Sequence, residues 1–142
     1  FQQAFRPTPL NRMIKAALEL PNLDEATRAA VLDIKSRHDA RMRVADLCIA
    51  ADVSERTLES SFKATTGLSP VAYLTRLRLH RVHAALLAAE PGSTRVSVEA
   101  IKWGFWHLGD FSRAYKQCFG ESPSQTLRRG PAGIPPSKVV LP

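Results

Sequence analysis

Residues 70–90 read PVAYLTRLRLHRVHAALLAAE, a run of 21 residues with no proline or glycine after the first. Pro70 suits a first helical position, where its missing N–H is no loss, and Ser69 ahead of it is a good N-cap. Leu79, Val82 and Leu86 recur at spacings of three and four, one face of a helix. Pro91-Gly92 ends the run. At ~1.5 Å per residue the segment predicts a rod of roughly 30 Å.

On either side of this rod the chain repeats itself. Phe62-Lys63-Ala64-Thr65-Thr66-Gly67-Leu68-Ser69-Pro70 matches Tyr115-Lys116-Gln117-Cys118-Phe119-Gly120-Glu121-Ser122-Pro123, an aromatic-Lys-x-x-x-Gly-x-Ser-Pro pattern at an offset of 53. Leu58 then falls on Phe111, and Leu74 on Leu127. Upstream the offset is 52, pairing Ile49 with Ile101, Asp52 with Gly104 and Val53 with Phe105. One extra residue therefore sits between Phe105 and Phe111 in the second copy. A solenoid needs about three repeats or more. Two copies on a long helix predict a duplicated module joined by a rod.

The 142 residues allow one domain or two small ones, and 44% apolar residues suffice for a core. No stretch approaches the ~18–20 apolar residues of a membrane span, and no signal peptide is evident. The chain starts at Phe1 and is expected to be part of a longer one. The net charge is +7. Residues 1–52 carry 8 basic and 7 acidic side chains, and residues 53–142 carry 12 and 6. The cationic excess thus lies in the duplicated half, which favours an anionic partner such as nucleic acid. No helix sets a Lys/Arg face against a Trp/Phe/Leu face, as a membrane-surface helix would. Cys48 and Cys118 lie on apolar helical faces, and buried thiols in a reducing compartment are expected rather than a disulfide.

In chain order, residues 1–7 read as unstructured. Thr8 and Pro9 start a helix to about Leu20, with an apolar stripe of Leu10, Met13, Ile14, Ala17 and Leu18. Asp24 caps a second helix to about His38, with Ala26, Ala29, Ala30, Leu32 and Ile34 on its apolar side. Residues 44–51 form a short helix with Leu47, Cys48 and Ala51 inward. Asp52-Val53 is a turn, and Ser54 caps a helix from Glu55 to Thr66 that ends at Gly67. A short helix, a turn and a second helix make a helix-turn-helix. After the rod, Ser97 is expected to cap a short helix through Trp103, and Gly104 supplies the turn. A longer helix runs from Leu108 to Phe119 and ends at Gly120. Ser122-Pro123 opens a last helix to Arg128 or Arg129. The proline-rich residues 130–142 read as a mobile tail.

These residues resemble the DNA-binding domain of the AraC/XylS family of bacterial transcription regulators. The motif Ala100-x3-Gly104-Phe105, with Phe111, Tyr115-Lys116, Gly120 and Ser122-Pro123, is similar to that family's signature. The first copy adds Val44-Ala45-Asp46-Leu47, Val53-Ser54-Glu55-Arg56-Thr57-Leu58, Phe62-Lys63 and Gly67-Leu68-Ser69-Pro70. The resemblance covers about residues 24–129. There are departures. Asp52 stands where the family has Gly, a turn Asp can still make. Cys48 replaces Ala, and Thr126 replaces Tyr in the last helix. Arg43 replaces a Ser or Thr cap and could contact phosphate itself.

The resemblance implies an all-α domain, homeodomain-like in its parts. It has about seven helices in two helix-turn-helix subdomains joined by the central helix, plus an extra N-terminal helix. The divisions would be 1–23 as linker or end of a preceding domain, 24–69 and 91–129 as the two subdomains, 70–90 as the connecting helix, and 130–142 as a disordered tail. It further implies sequence-specific binding of double-stranded promoter or operator DNA by a cytoplasmic regulator. Two recognition helices would enter successive major grooves, since the rod is close to the ~34 Å of one duplex turn. A transcription activator that meets RNA polymerase is the role that follows. Dimerisation would come through an N-terminal effector-binding or dimerisation domain.

The exposed first turns of the second helices would meet base edges. In the first copy Leu58 and Phe62 point inward, leaving Arg56, Thr57, Glu59 and Ser60 outside. Arg56 can pair with guanine O6 and N7, and Glu59 can accept from cytosine N4 or simply stand solvated. By similarity to the family, Arg56, Glu59 and Ser60 are the reading positions. In the second copy Phe111, Tyr115 and Phe119 point inward and leave His107, Gly109, Asp110 and Arg113. Arg113 is the foremost base reader, with Asp110 reading alongside it or orienting it at i+3. His107 could donate to a base or phosphate or be idle, and Gly109 would let the backbone approach DNA. Phosphate candidates are Arg43, Ser54, Lys63, Arg76, Lys102 and Lys116, with Arg78, Arg128 and Arg129 behind them. Each could be an ordinary solvated charge. Trp103, Phe105 and Trp106 are expected to pack core and turn rather than stack bases.

Enzymatic chemistry has no foothold. His80 and His83 are three apart on the rod, but no Cys, Asp or Glu sits near at ligand spacing, so no metal or other cofactor is expected. No P-loop, dinucleotide-binding glycine motif or nucleophile elbow appears, and no catalytic residues are assigned. The competing class is a helical protein–protein interaction module that does not bind DNA.

Overall fold

The computed structural model describes residues 9–37 and 41–130. The described residues are helical, in the order α1 (Pro9–Leu18), α2 (Glu25–Arg37), α3 (Val44–Ala51), α4 (Glu55–Thr66), α5 (Pro70–Ala88), α6 (Val96–Lys102), α7 (Leu108–Phe119) and α8 (Pro123–Arg129). The all-α class and the duplicated helix-turn-helix are as expected. The expectations for residues 1–8, for a helix end at His38 and for the tail after Gly130 lie outside the described residues. No described helix is long and apolar enough to cross a membrane.

The described residues divide into two compact units that meet between Leu77 and Arg78, inside α5. The spacing of apolar residues along α5 shows the same break. Tyr73, Leu74 and Leu77 belong to the first core, and Leu79, Val82 and Leu86 to the second. Between Leu77 and Leu79 the step is two residues, which interrupts the three-and-four rhythm of a single stripe.

In the first unit Ile14 and Ala17 of α1, Ala30, Val31 and Ile34 of α2, Leu47 of α3, Leu58 and Phe62 of α4, and the start of α5 share one core. Phe62 meets Tyr73 edge-on, with ring centroids 5.5 Å apart. Asp24 caps α2 by accepting from the Thr27 N–H at 2.9 Å. Burial pushes its carboxyl up, but hydrogen bonds from Ser61 and Thr27 outweigh that and hold it below its ordinary value. The α3–α4 turn needs a left-handed residue, and Asp52 takes it at φ 57°. Its N–H donates to Ile49 at 3.2 Å, and that of Val53 to Cys48 at 3.2 Å. Ser54 Oγ then accepts from the Thr57 N–H and starts α4.

The second unit repeats this joint. The Phe105 N–H donates to Ala100 at 2.9 Å and that of Gly104 to Ile101 at 3.0 Å, with Gly104 at φ 92°. Its core holds Leu79, Val82, Leu86, Ala100, Phe111 and Tyr115, with Val96, Trp103, Phe105, Phe119 and Leu127 packed around them. Three expectations need correction. α6 begins at Val96 with Arg95 in the cap position, not at Ser97, because the Glu99 N–H already donates to the Arg95 carbonyl at 3.2 Å and so puts Ser97 inside the first turn. α1 closes at Leu18, two residues early, as the Leu20 N–H turns back to Ala17. Cys118 is exposed. Phe119, one residue on, takes the packing place by stacking on His83 at 4.2 Å.

Candidate nucleic-acid interface

Each unit presents the second helix of its helix-turn-helix in the same way. On α4, Leu58 and Phe62 are fully buried while Arg56, Thr57, Glu59, Ser60 and Lys63 are exposed. On α7, Phe111 and Tyr115 are buried while His107, Gly109, Asp110, Arg113 and Lys116 are exposed. The apolar residues at spacings of four anchor one side of each helix and so turn the polar side outward.

Arg113 is held by an ion pair with Asp110, and both side chains are largely in solvent. Such an exposed pair contributes little to stability, ~0–1 kcal/mol. Exchanging the carboxylate for a base edge is therefore cheap, while the pair keeps the guanidinium near the helix start. A side-chain carbon at Gly109 would lie 4.0 Å from Arg113 Nη1 and meet nothing closer. The fold therefore does not require glycine there. Gly109→Ala should raise the stability of the free protein by about 0.5–1 kcal/mol through helix propensity. If the bare backbone lies against DNA, the same change weakens binding, and thermal melting with a binding titration separates the two effects.

The phosphate candidates differ in their surroundings. Lys63 and Lys116 are exposed in the last turns of α4 and α7, and Arg76 is exposed on α5. Arg43 is exposed and its side chain makes no capping bond, while its N–H is held by Asp46 at 2.8 Å. The Ser54 hydroxyl is engaged in capping, with a second bond to Thr57 Oγ1 at 3.1 Å. Lys102 stands 3.9 Å from Glu99. An open cleft of about 550 Å³ lies beside Ser112, Arg113, Lys116, Gln117 and Ser122, lined largely by the apolar parts of these side chains.

Arg129, a secondary phosphate candidate, is turned inward instead. Its side chain is 14% exposed and paired with Glu121, which is 17% exposed. Tyr115 donates to Thr126 Oγ1 at 2.7 Å, and Thr126 donates to Glu121. Thr126 thus stands at the centre of a buried polar chain that sequence reading missed. The sequence offers only that Thr126 departs from the Tyr of the family it resembles, which does not name its partners. Burial raises the Tyr115 hydroxyl to about 12 despite the Thr126 bond.

The aromatic residues of the turn also separate. Trp103 is half-buried beneath Arg81, whose guanidinium lies 5.2 Å from the ring centre, and Phe105 packs into the core. Trp106, expected to pack, is 72% exposed. Phe105 already fills the core slot that Val53 fills in the first unit. His80 and His83 pack on Phe119. Among the described residues no group of three or more His, Cys, Asp or Glu could hold a metal ion.

The profile described as "Helix-turn-helix domain" matches residues 47–129. The probable thc operon regulatory protein of Rhodococcus erythropolis is 36% identical over 111 residues, 78% of this chain and 33% of that protein. XylDLEGF operon transcriptional activator 1 of Pseudomonas putida is 34% identical over 87 residues, 61% of this chain and 25% of that protein. The crystal structure of a probable AraC family transcriptional regulator from Rhodopseudomonas palustris superposes with a TM-score of 0.68 at 34% identity, over 75% of this chain and 97% of that one. The chain spans a third or less of the length of these two curated relatives.

Proposed function

This chain belongs to the AraC-type helix-turn-helix family of DNA-binding transcription regulators, and from that premise we propose that it reads a bipartite site in double-stranded promoter or operator DNA with α4 and α7. The family is one of regulators, not enzymes. The observation that carries the proposal is the duplicated presentation of α4 and α7, anchored by buried Leu58-Phe62 and Phe111-Tyr115 and outwardly polar in the first turn. Arg56, Glu59 and Ser60 read one major-groove segment, and His107, Gly109, Asp110 and Arg113 read the next. Arg43, Ser54, Lys63, Arg76, Lys102 and Lys116 hold phosphates, Ser54 and Lys102 more weakly because each is already engaged. The protein acts in the bacterial cytoplasm as an activator that meets RNA polymerase, and dimerises through sequence outside this chain. The activators named among its relatives support that role.

Selection from random duplexes, followed by salt-titrated binding, is the test. Two enriched motifs about one duplex turn (~10 bp) apart are expected. A flat salt response without enrichment would favour the protein-binding module instead. Arg113→Ala should cost ~1–3 kcal/mol and relax preference at one base position. Equal affinity of mutant and wild type across the library would rule that role out. Lys63→Ala with Lys116→Ala should weaken all sequences alike and make the salt slope shallower by roughly 2. An unchanged slope in the double mutant would remove both lysines from the backbone contacts.

A further inference from the structure

The structure locates the one residue by which the second copy exceeds the first. Val53 and Phe105, both packed against their cores, correspond at an offset of 52. Ser54 and His107, the cap positions of α4 and α7, correspond at 53. The residue between these registers is Trp106, with no counterpart in the first unit. The fold has no use for its ring: Phe105 fills the core and His107 begins the helix. The ring is instead 72% exposed. A Trp side chain carries ~150–250 Å² of surface, so leaving it in water forgoes a large burial term.

Resting on the DNA-reading role of α7, we infer that Trp106 is a specificity residue whose indole packs against a thymine C5-methyl at the edge of the segment read by the second unit. The position supports this. Trp106 lies one residue before the α7 cap, and the exposed side chains around it in sequence are polar (Lys102, His107, Asp110, Arg113) and apolar (Ile101, Leu108). Arg113 is paired with Asp110 and Lys102 stands near Glu99, and among them the ring offers an apolar face to a duplex whose apolar feature in the major groove is the thymine methyl. A protein partner is the rival occupant, since Val98, Ile101 and Leu108 are also exposed. The ring's place immediately before the α7 cap, next to the residues assigned to base reading, favours DNA.

The test uses the duplex selected by the wild-type protein, with each thymine replaced in turn by deoxyuridine, which removes only the methyl. Wild type, Trp106→Phe and Trp106→Ala are compared. Trp106→Ala should bind about tenfold more weakly and Trp106→Phe within about threefold of wild type. At one thymine, deoxyuridine should weaken the wild type and leave Trp106→Ala unaffected. The exposed position means the variants should fold, which circular dichroism verifies. If Trp106→Ala binds the selected duplex as wild type does, or shows the same deoxyuridine profile, the inference is overturned and the ring belongs to a protein contact. A uniform loss on every duplex also overturns it, by reducing the ring to a non-specific contact. Failure of wild type to select any duplex defeats the DNA-reading role itself, and shows before any variant is made.

Discussion

Phe62→Ala is expected to remove about 3–5 kcal/mol of stability from the first unit. The side chain is fully buried and sits at the junction of α4 with α5, edge-on to Tyr73. Its truncation loses transfer free energy and leaves a cavity in a core whose other members, Ile34, Leu47, Leu58 and Leu77 among them, are fully enclosed or nearly so. Domains of this size have ~5–15 kcal/mol in total, so the loss is a large fraction of it. Urea unfolding followed by far-UV circular dichroism measures the effect. DNA affinity should fall with it, because Phe62 and Leu58 orient Arg56, Glu59 and Ser60. A loss below about 1 kcal/mol would mean that this site repacks freely and that the α4 anchor lies elsewhere.

Glu121→Gln should cost about 1.5–3 kcal/mol at pH 7, because the mostly enclosed Arg129 guanidinium then loses its anionic partner and keeps only a neutral acceptor. Burial raises the Glu121 carboxyl, but the bonds from Arg129 and Thr126 outweigh it and hold the group below its ordinary value. A carboxyl depressed in the folded state contributes stability that is complete above its unfolded value, about 4.3 for Glu. That contribution is lost as pH falls through the lower folded value. The gap between wild type and Glu121→Gln should therefore be open at pH 7 and close in acid below about pH 4.3. A gap of equal size from pH 7 to pH 3 would assign the effect to packing rather than charge. Thr126→Val would break the same chain at its middle, leaving the Tyr115 hydroxyl buried without its acceptor.

Much of this was legible because helices announce themselves locally. Ser54 and Gly67 bound α4, Ser69-Pro70 opens α5 and Ser122-Pro123 opens α8, each through a cap or a fixed φ that acts within four residues. The anchors Leu58, Phe62, Phe111 and Tyr115 follow from the spacing of four, and exposure of the polar first turns follows from the anchors. Ser97 failed because α6 starts without a side-chain cap: Arg95 takes the cap position and its carbonyl accepts the first backbone bond, from Glu99. Cys118, Trp106 and Arg129 failed for one common reason. Composition says whether a side chain prefers water, not whether a neighbour has already taken the available space.

The sequence by itself determined the helical class, the duplicated helix-turn-helix and which polar residues of α4 and α7 face outward, because repeat spacing and capping are encoded within a few residues of each other. Tertiary structure alone decided which residues share each core, and that Arg129 joins Glu121, Thr126 and Tyr115 rather than solvent. It also decided that Trp106 stands outside. Those outcomes depend on competition among side chains distant in sequence for the same volume and the same hydrogen-bond partners, and no local pattern records who wins it.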